Sequence, residues 1–398
     1  MKNVRRSFQL FPYLFIFLCL LFIPFSFHLF PFQLAVTEIL FRPVIAWMIA
    51  PMKYTGISSD SGAMYALLLV LFILALLLSP AIGKLFAARQ ERVKRYIRIA
   101  GFYYLTLILW KYGFDKVFKG QFYLPEPNIL FTPLGRLDKD ILFWSSMGTS
   151  HLYNMLTGSF EVLAGTLLLF RRTRYIGLLL SFGALLQVIF INFGFDISVK
   201  LFSCFLLLLN MILALPLLKP LFGLLVLGRQ EQLCAEKPIF KNRNAIYISL
   251  KVFIIGLFLS EAVFQYLQAG CVNDDTAARP YLHGAYETTE AYRNDTLLPL
   301  HRSPAKRFFI HRRHFLIFQR QDDSMQDFSI RTDSALNIFY VTDYDLKTYA
   351  VPFEYRAIDS TLTIHYLHNG ARYTLRGKGV DWRRLPAVRD EMHWRVED

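Results

Sequence analysis

Residues 62–82 read GAMYALLLVLFILALLLSPAI, a run with no charged side chain. A helix rises about 1.5 Å per residue, so a run of this length spans the ~30 Å apolar layer of a bilayer. Six further apolar runs lie at 8–32, 97–114, 152–170, 175–195, 199–217 and 246–267. In lipid no water is available to backbone N–H and C=O groups, so each run is expected to close its hydrogen bonds as a helix. The expectation is an all-α membrane bundle of about seven transmembrane helices, ending near residue 270 where the apolar runs stop.

Composition agrees with that division. The 398 residues are 54% hydrophobic and only 19% charged, a balance foreign to a soluble protein of this size. Lys and Arg outnumber Asp and Glu by 26 to 12 before Gly270 and equal them at 18 each from there on, so the net charge of +14 belongs to the apolar part. Bases set around apolar spans mark cytoplasmic loops rather than a nucleic-acid face. The four cysteines, Cys19, Cys204, Cys234 and Cys271, include no Cys-x-x-Cys and suggest neither a disulfide framework nor a zinc site.

Lys2, Arg5 and Arg6, then the cluster 84–98, then Arg171, Arg172 and Arg174, then Lys219 to Arg243 fall in alternate loops, which the positive-inside rule makes cytoplasmic. Seven spans then place the N-terminus inside and the tail outside, in a bacterial inner membrane. The first run is read as a retained signal anchor bent by Pro12, Pro24 and Pro31. The outer loop 115–151, rich in Phe, Tyr, Leu and Trp, is expected to pack on the bundle or lie at headgroup level.

Polar residues recur at helical spacing inside the spans. Gly101, Tyr104, Ile108, Lys111 and Asp115 share one face of the third span, and Asn154, Gly158, Glu161 and Gly165 one face of the fourth. The small residues let a neighbouring backbone approach and turn Glu161 towards a helix contact, where Lys111 or Lys200 is its expected partner. Gln187 and Asn192 lie on the fifth span with Asp196 at its end, Lys200 opens the sixth, and Glu261, Gln265 and Gln268 step along the seventh. Two readings stay open: a ligand-binding polar seam of Lys111, Asp115, Lys116, His151, Glu161, Gln187, Asn192, Asp196 and Lys200, or a hydrogen-bond network that only joins helices.

Other chemistries lack their residues. Haem needs facing axial ligands, and His28 is the sole histidine well inside an expected span. His311, His314, His365, His368 and His393 match no zinc spacing, so no metal site is expected. The pairs Asp138 and Asp140, and Asp322 and Asp323, are read as solvated turns.

A resemblance adds to this reading. Tyr112-Gly113-Phe114-Asp115-Lys116, Gln121-Phe122, Met147-Gly148-Thr149-Ser150, Tyr153, Gly158, 161–165, 167–173 and 192–201 (NFGFDISVKL) together resemble the DoxX-like family of bacterial membrane proteins. The similar region runs from about 102 to 227, with a looser likeness of the tail to the outer domain of longer members. The resemblance implies a four-helix unit related to the small subunit of thiosulfate:quinone oxidoreductases. It also implies a possible quinone link, for which a partner subunit would supply the electron carrier.

From Gly270 the pattern changes to alternation, as in Phe315 and Ile317, in Leu336, Ile338 and Tyr340, and in Leu362, Ile364 and Tyr366. Asn369-Gly370 between two such runs signals a tight hairpin. About six to eight antiparallel strands are expected in a small all-β barrel or sandwich, with Trp382 and Trp394 over its open end. The expected domains are 1–96, two helices; 97–227, the DoxX-like unit; 228–269, a cytoplasmic loop and the last helix; and 270–398, an extracytoplasmic β domain. The expected function is non-catalytic: a membrane protein binding a lipid-soluble ligand or a membrane or periplasmic partner through the seam, with the tail for docking. A membrane subunit of a quinone-reducing oxidoreductase, with Glu161 handling protons and Lys111 donating to the quinone, is the alternative, and transport a third.

Overall fold

A computed structural model describes residues 9–29, 31–50, 52–229, 245–389, 391 and 395. The loop bases Lys2, Arg5, Arg6, Lys237, Lys241 and Arg243, together with Cys234, His393 and Trp394, lie outside the described residues. The chain divides into a helical unit, 1–121 with 155–272, and a second unit, 122–154 with 273–398.

The helical unit holds α1 (Phe11–Phe22), α2 (Gln33–Met48), α3 (Gly62–Leu85), α4 (Gln90–Val117), most of α7 (His151–Leu169), α8 (Arg174–Gly194), α9 (Lys200–Leu225) and α10 (Ala245–Ala269). The second unit adds α5 (Pro127–Leu130) and α6 (Lys139–Gly148). Among the described residues five helices are long and apolar enough to cross a membrane, which marks this as a membrane protein. The described residues thus contain ten α-helices rather than about seven. The surplus has local causes.

Residues 8–32 do not form one helix. Pro24 disfavours helical backbone at the preceding position, and Ile23 is extended, with ψ 115°. Gln33 Nε2 donates to the carbonyls of Leu21 at 3.1 Å and Ile23 at 2.9 Å, which the interrupted helix leaves unpaired. The chain nonetheless runs beside α4 from Lys94, whose ammonium is 3.5 Å from the Gln9 amide oxygen, to Tyr112, whose ring lies 6.0 Å from that of Phe25. A short helix followed by extended chain therefore covers the length a single helix was expected to cover. The next helix, α2, falls where a loop was expected, because Glu38, Arg42 and Pro43 interrupt its apolar run. It buries Thr37, Phe41 and Ile45 at steps of four and exposes Ile39, Leu40 and Trp47.

α4 and α7 run antiparallel at close quarters. A Cβ on Gly158 would stand 2.5 Å from the Gly113 carbonyl oxygen, so the two backbones touch only because both positions are glycine. Thr106 Oγ1 donates to the Gly165 carbonyl at 3.0 Å and Trp110 Nε1 to that of Val162 at 3.2 Å, which extends the contact along both helices.

The second unit is built on an antiparallel meander: β1 (Gly284–Arg293), β2 (Thr296–Leu298), β3 (Arg307–His311), β4 (Phe315–Gln319), β5 (Met325–Asp333), β6 (Ile338–Thr342), β7 (Thr348–Arg356), β8 (Thr361–His368) and β9 (Ala371–Val380). The strands pair in order from β3 to β9, and β9 returns to β1. This closes an eight-stranded barrel, with β2 attached to the far half of β1 beyond its pairing with β3. Closure leaves no free sheet edge around the ring. The interior is packed with side chains: the Phe339 and Phe353 rings stack at 4.2 Å, and Tyr286 and Phe308 at 5.3 Å. Gly377 makes room for Phe308, whose ring would lie 2.5 Å from a Cβ there. Trp382 is buried beside His283, at the end of the barrel where β1 begins and β9 ends.

The aromatic loop expected on the bundle or in the interface belongs to this second unit. Along β3 and β4, Phe309 and Ile317 point out of the barrel, opposite to Phe308 and Leu316. Phe131 covers them, its ring 6.0 Å from that of Phe309, and its carbonyl accepts from Gln319 Nε2 at 2.8 Å. Burying an outer barrel face gives Phe131 a use that needs no lipid, while Phe122, Phe143 and Trp144 pack on one another.

Candidate functional site

Charged side chains converge where α4, α7 and α10 meet. One turn beyond Gly113, Lys116 Nζ reaches Glu161 at 2.8 Å, both side chains being buried. The sequence pointed to Lys111 or Lys200 as the partner of Glu161. The Gly113–Gly158 approach sets the rotation of α4 against α7 and brings Lys116 there instead. Lys111 Nζ lies 3.7 Å from Glu261 of α10. The Glu261 carboxylate, 1% exposed, also accepts from the backbone N–H groups of His28 and Leu29, each at 2.7 Å. Asp115 Oδ1 accepts from Gln265 Nε2 at 2.7 Å and from Tyr266 Oη at 2.6 Å. Two lysines and three carboxylates are thereby held among apolar helices, each carboxylate with at least one donor. An isolated charge in such a place costs several kcal/mol, which is why they occur together.

The other seam residues lie elsewhere. Asp196, largely exposed, pairs with Lys200 one turn along at 2.7 Å. The backbone N–H groups of Lys200 and Leu201 donate to Asp60 at 3.0 and 2.9 Å, so that carboxylate caps the start of α9. Gln187 is exposed. His151 falls in the 122–154 segment of the second unit. Asn192 is buried on α8 and its Nδ2 has no acceptor among the described residues. Tyr104, on the same face of α4 as Lys111, is half-buried, and its hydroxyl is buried and unpartnered among the described residues. Glu261 and Gln265 were visible as a stripe on the seventh span, but no sequence signal tied them to Lys111 or Asp115, since helix order around a bundle has no local code.

A second charged cluster, in the barrel unit, escaped the sequence reading. Glu126, between two prolines, is buried. Its Oε2 lies 2.8 Å from His283 Nε2 and accepts the Arg312 N–H at 3.2 Å, and His311 Nε2 stands 3.9 Å away. Arg312 Nη1 donates to Asp274 at 2.8 Å, and its guanidinium lies 4.5 Å from the centre of the Tyr123 ring. Burial alone would raise the Glu126 carboxyl. The hydrogen bond and charge of His283, the charge of His311 and the Arg312 N–H outweigh it and hold the group below its ordinary range. Asp274 is depressed in the same way, its burial outweighed by Arg312 and Arg279. Burial, with His283, Arg313 and Arg312 nearby, pushes His311 below the usual histidine value despite Glu126. These contacts anchor the 122–132 segment to the barrel. Among the described residues no group of three or more His, Cys, Asp or Glu is arranged to hold a metal ion.

No protein-family model matches the chain, and no solved structure matches it. A stretch of 131 residues, 33% of the chain, is 30% identical to the uncharacterized protein YwoB of Bacillus subtilis (strain 168) and covers 80% of that protein. The chain belongs to the YwoB family. Most of YwoB is therefore shared, while two thirds of the present chain lies outside the shared stretch.

Proposed function

We propose that this protein is a multi-pass inner-membrane protein of DoxX-like type, non-catalytic, whose helical unit binds a lipid-soluble ligand or a membrane partner beside the α4–α7–α10 charges. The Lys116–Glu161 pair carries this reading, because ionisable groups are retained inside apolar helices chiefly where they bind, relay or specify a contact. The Tyr104 hydroxyl, a buried donor on the Lys111 face of α4 with no partner among the described residues, supports it. The YwoB relationship supports a family lineage and no activity. The barrel acts as an outer docking module: its interior is filled by the Phe339, Phe353, Tyr286 and Phe308 rings, which favours a role for its surface.

The cytoplasmic N-terminus and extracytoplasmic tail rest on alternation. The bases at 84–98 and 171–174 fall at one end of the helical unit, where Arg98 Nη2 donates to the Leu213 carbonyl at 3.1 Å and Lys251 Nζ to that of Leu169 at 2.9 Å. To test the binding role, we would purify the full chain in a mild detergent with its co-extracted lipids and compare Glu161→Gln with Glu161→Leu by native mass spectrometry. The Gln variant should keep whatever small molecule or subunit accompanies the wild type, and the Leu variant should lose it. Identical complements from all three proteins would reduce Glu161 to helix packing.

A quinone-linked membrane subunit is the second reading, favoured by Tyr104 Oη and Asn192 Nδ2, two buried donors of the kind a quinone carbonyl accepts. Stoichiometric quinone in the solvent extract would support it, whereas its absence along with any redox-active subunit would remove it.

A further inference from the structure

The two ends of the barrel differ in charge. Call proximal the end where β1 begins; antiparallel pairing puts the β3–β4, β5–β6 and β7–β8 turns and the segment after β9 there too. Among the described residues, the connections at the proximal end expose Arg313, Arg383, Arg384, Arg389 and Arg395 against Asp381 and Glu391. At the distal end the exposed charges balance, Asp295, Asp322 and Asp345 against Arg302, Arg320 and Lys347. Aliphatic tips stand among the proximal bases: Leu336 on the β5–β6 turn is 63% exposed and Ile358 on the β7–β8 turn is fully exposed. Neither lies in the barrel core.

Chain length fixes where this end can be. α10 stops at Ala269, and Asp274, five residues later, is bonded to Arg312 in the proximal β3–β4 turn. Five residues reach at most ~17 Å. If α10 crosses the membrane, as the proposed function holds, the proximal end cannot stand far from the surface at which the chain emerges.

We propose that the proximal end of the barrel is a membrane-contacting surface, with Leu336 and Ile358 inserted at the headgroup boundary and Arg313 and Arg383 bound to the phosphates of anionic lipids. Aliphatic tips ringed by arginine suit such an interface, because the chains gain burial while guanidinium groups bind phosphate. Each base near an anionic surface contributes about fivefold to the ratio of seated to free barrel. The distal end also exposes apolar side chains, Leu346 and Leu367 among them, but has neither the excess of bases nor the tether. It serves as the internal control.

The test uses the full chain with its four cysteines replaced by serine, a single new cysteine at Ile358 or Leu346, and an environment-sensitive fluorophore on it. The protein is reconstituted into phosphatidylglycerol or phosphatidylcholine vesicles carrying a shallow lipid-borne quencher. The Ile358 probe should be quenched in phosphatidylglycerol, with the Leu346 probe spared. The double variant Arg313→Gln/Arg383→Gln should lower the seated-to-free ratio about twenty-five-fold, that is about fivefold for each arginine, while leaving the Leu346 probe unchanged. Quenching absent at Ile358, equal at Ile358 and Leu346, or unaffected by lipid charge and by the arginines would overturn the proposal. A failure of α10 to cross is distinguished by protease protection of the same vesicles.

Discussion

The helical unit and the barrel solve opposite problems with one chain. Around α4, charge lies inside: Lys116, Glu161, Lys111, Glu261 and Asp115 face one another while Leu77, Phe190 and Phe253 face outward. In the barrel, Phe339, Phe353 and Leu375 are inside and the exposed arginines and aspartates occupy the turns. Lipid rewards an apolar exterior and makes side-chain pairing the specific contact, whereas water rewards an apolar interior and leaves charge at the surface. A change that is mild in one unit should therefore be severe in the other.

Truncation of the barrel core is the largest expected effect. Phe339→Ala removes a ring stacked at 4.2 Å on Phe353 and should cost the barrel unit about 4 kcal/mol, read as the denaturant midpoint of its strand signal. Equal stability would mean that the interior is not packed as described. In the helical unit the matching break is electrostatic. Lys116→Met leaves Glu161 buried without its cation and should cost about 3 kcal/mol in detergent-solubilised thermal unfolding. Adding Glu161→Leu should recover most of that loss. A double variant as unstable as the sum of the single ones would show that the two residues act independently.

The smallest effect sharpens the comparison through pH. Glu126 and Asp274 have depressed carboxyl values, so their contribution is present above the ordinary carboxylate range and is lost as pH falls through their folded values. His311 is depressed too, so the unfolded chain takes up its proton first, and stability begins to fall as pH drops through the ordinary histidine value of 6.5. The barrel unit should thus weaken steadily on acidification below about pH 6.5, and Glu126→Gln should flatten the lower part of the curve. Tryptophan fluorescence against pH would record it, and an unchanged profile in the variant would remove Glu126 from the account.

What the sequence made legible follows the range of the interactions. Strand alternation and the Asn369-Gly370 turn are local, and both turn residues adopt the positive φ, 50° and 74°, that a tight hairpin requires. The glycines of α7 are local as well, and they make the close helix contact expected of them, but with the Gly113 side of α4, while the Lys111 stripe turns to α9 and α10. Closure of β1 on β9 joins residues nearly a hundred positions apart, and neither strand advertises its partner. The choice of Lys116 over Lys111 for Glu161 depends on the rotation of two helices about the Gly113–Gly158 contact, which no spacing within either helix encodes. Glu126 passed unnoticed because a lone carboxylate between prolines resembles an ordinary loop, and its partners follow in a stretch that reads as strand and turn.

That last contact has a consequence in time. Glu126 precedes His283 by 157 positions. At about 5–20 residues per second of synthesis, its carboxylate and the aromatic segment around it wait on the order of ten seconds or more for the strands that will bury them. Through that interval α7, α8, α9 and α10 are being made, so Glu126 and Phe131 spend the making of four helices without the barrel residues they contact in the finished protein. The Glu126 contact therefore closes only after more than two thirds of the chain has been made.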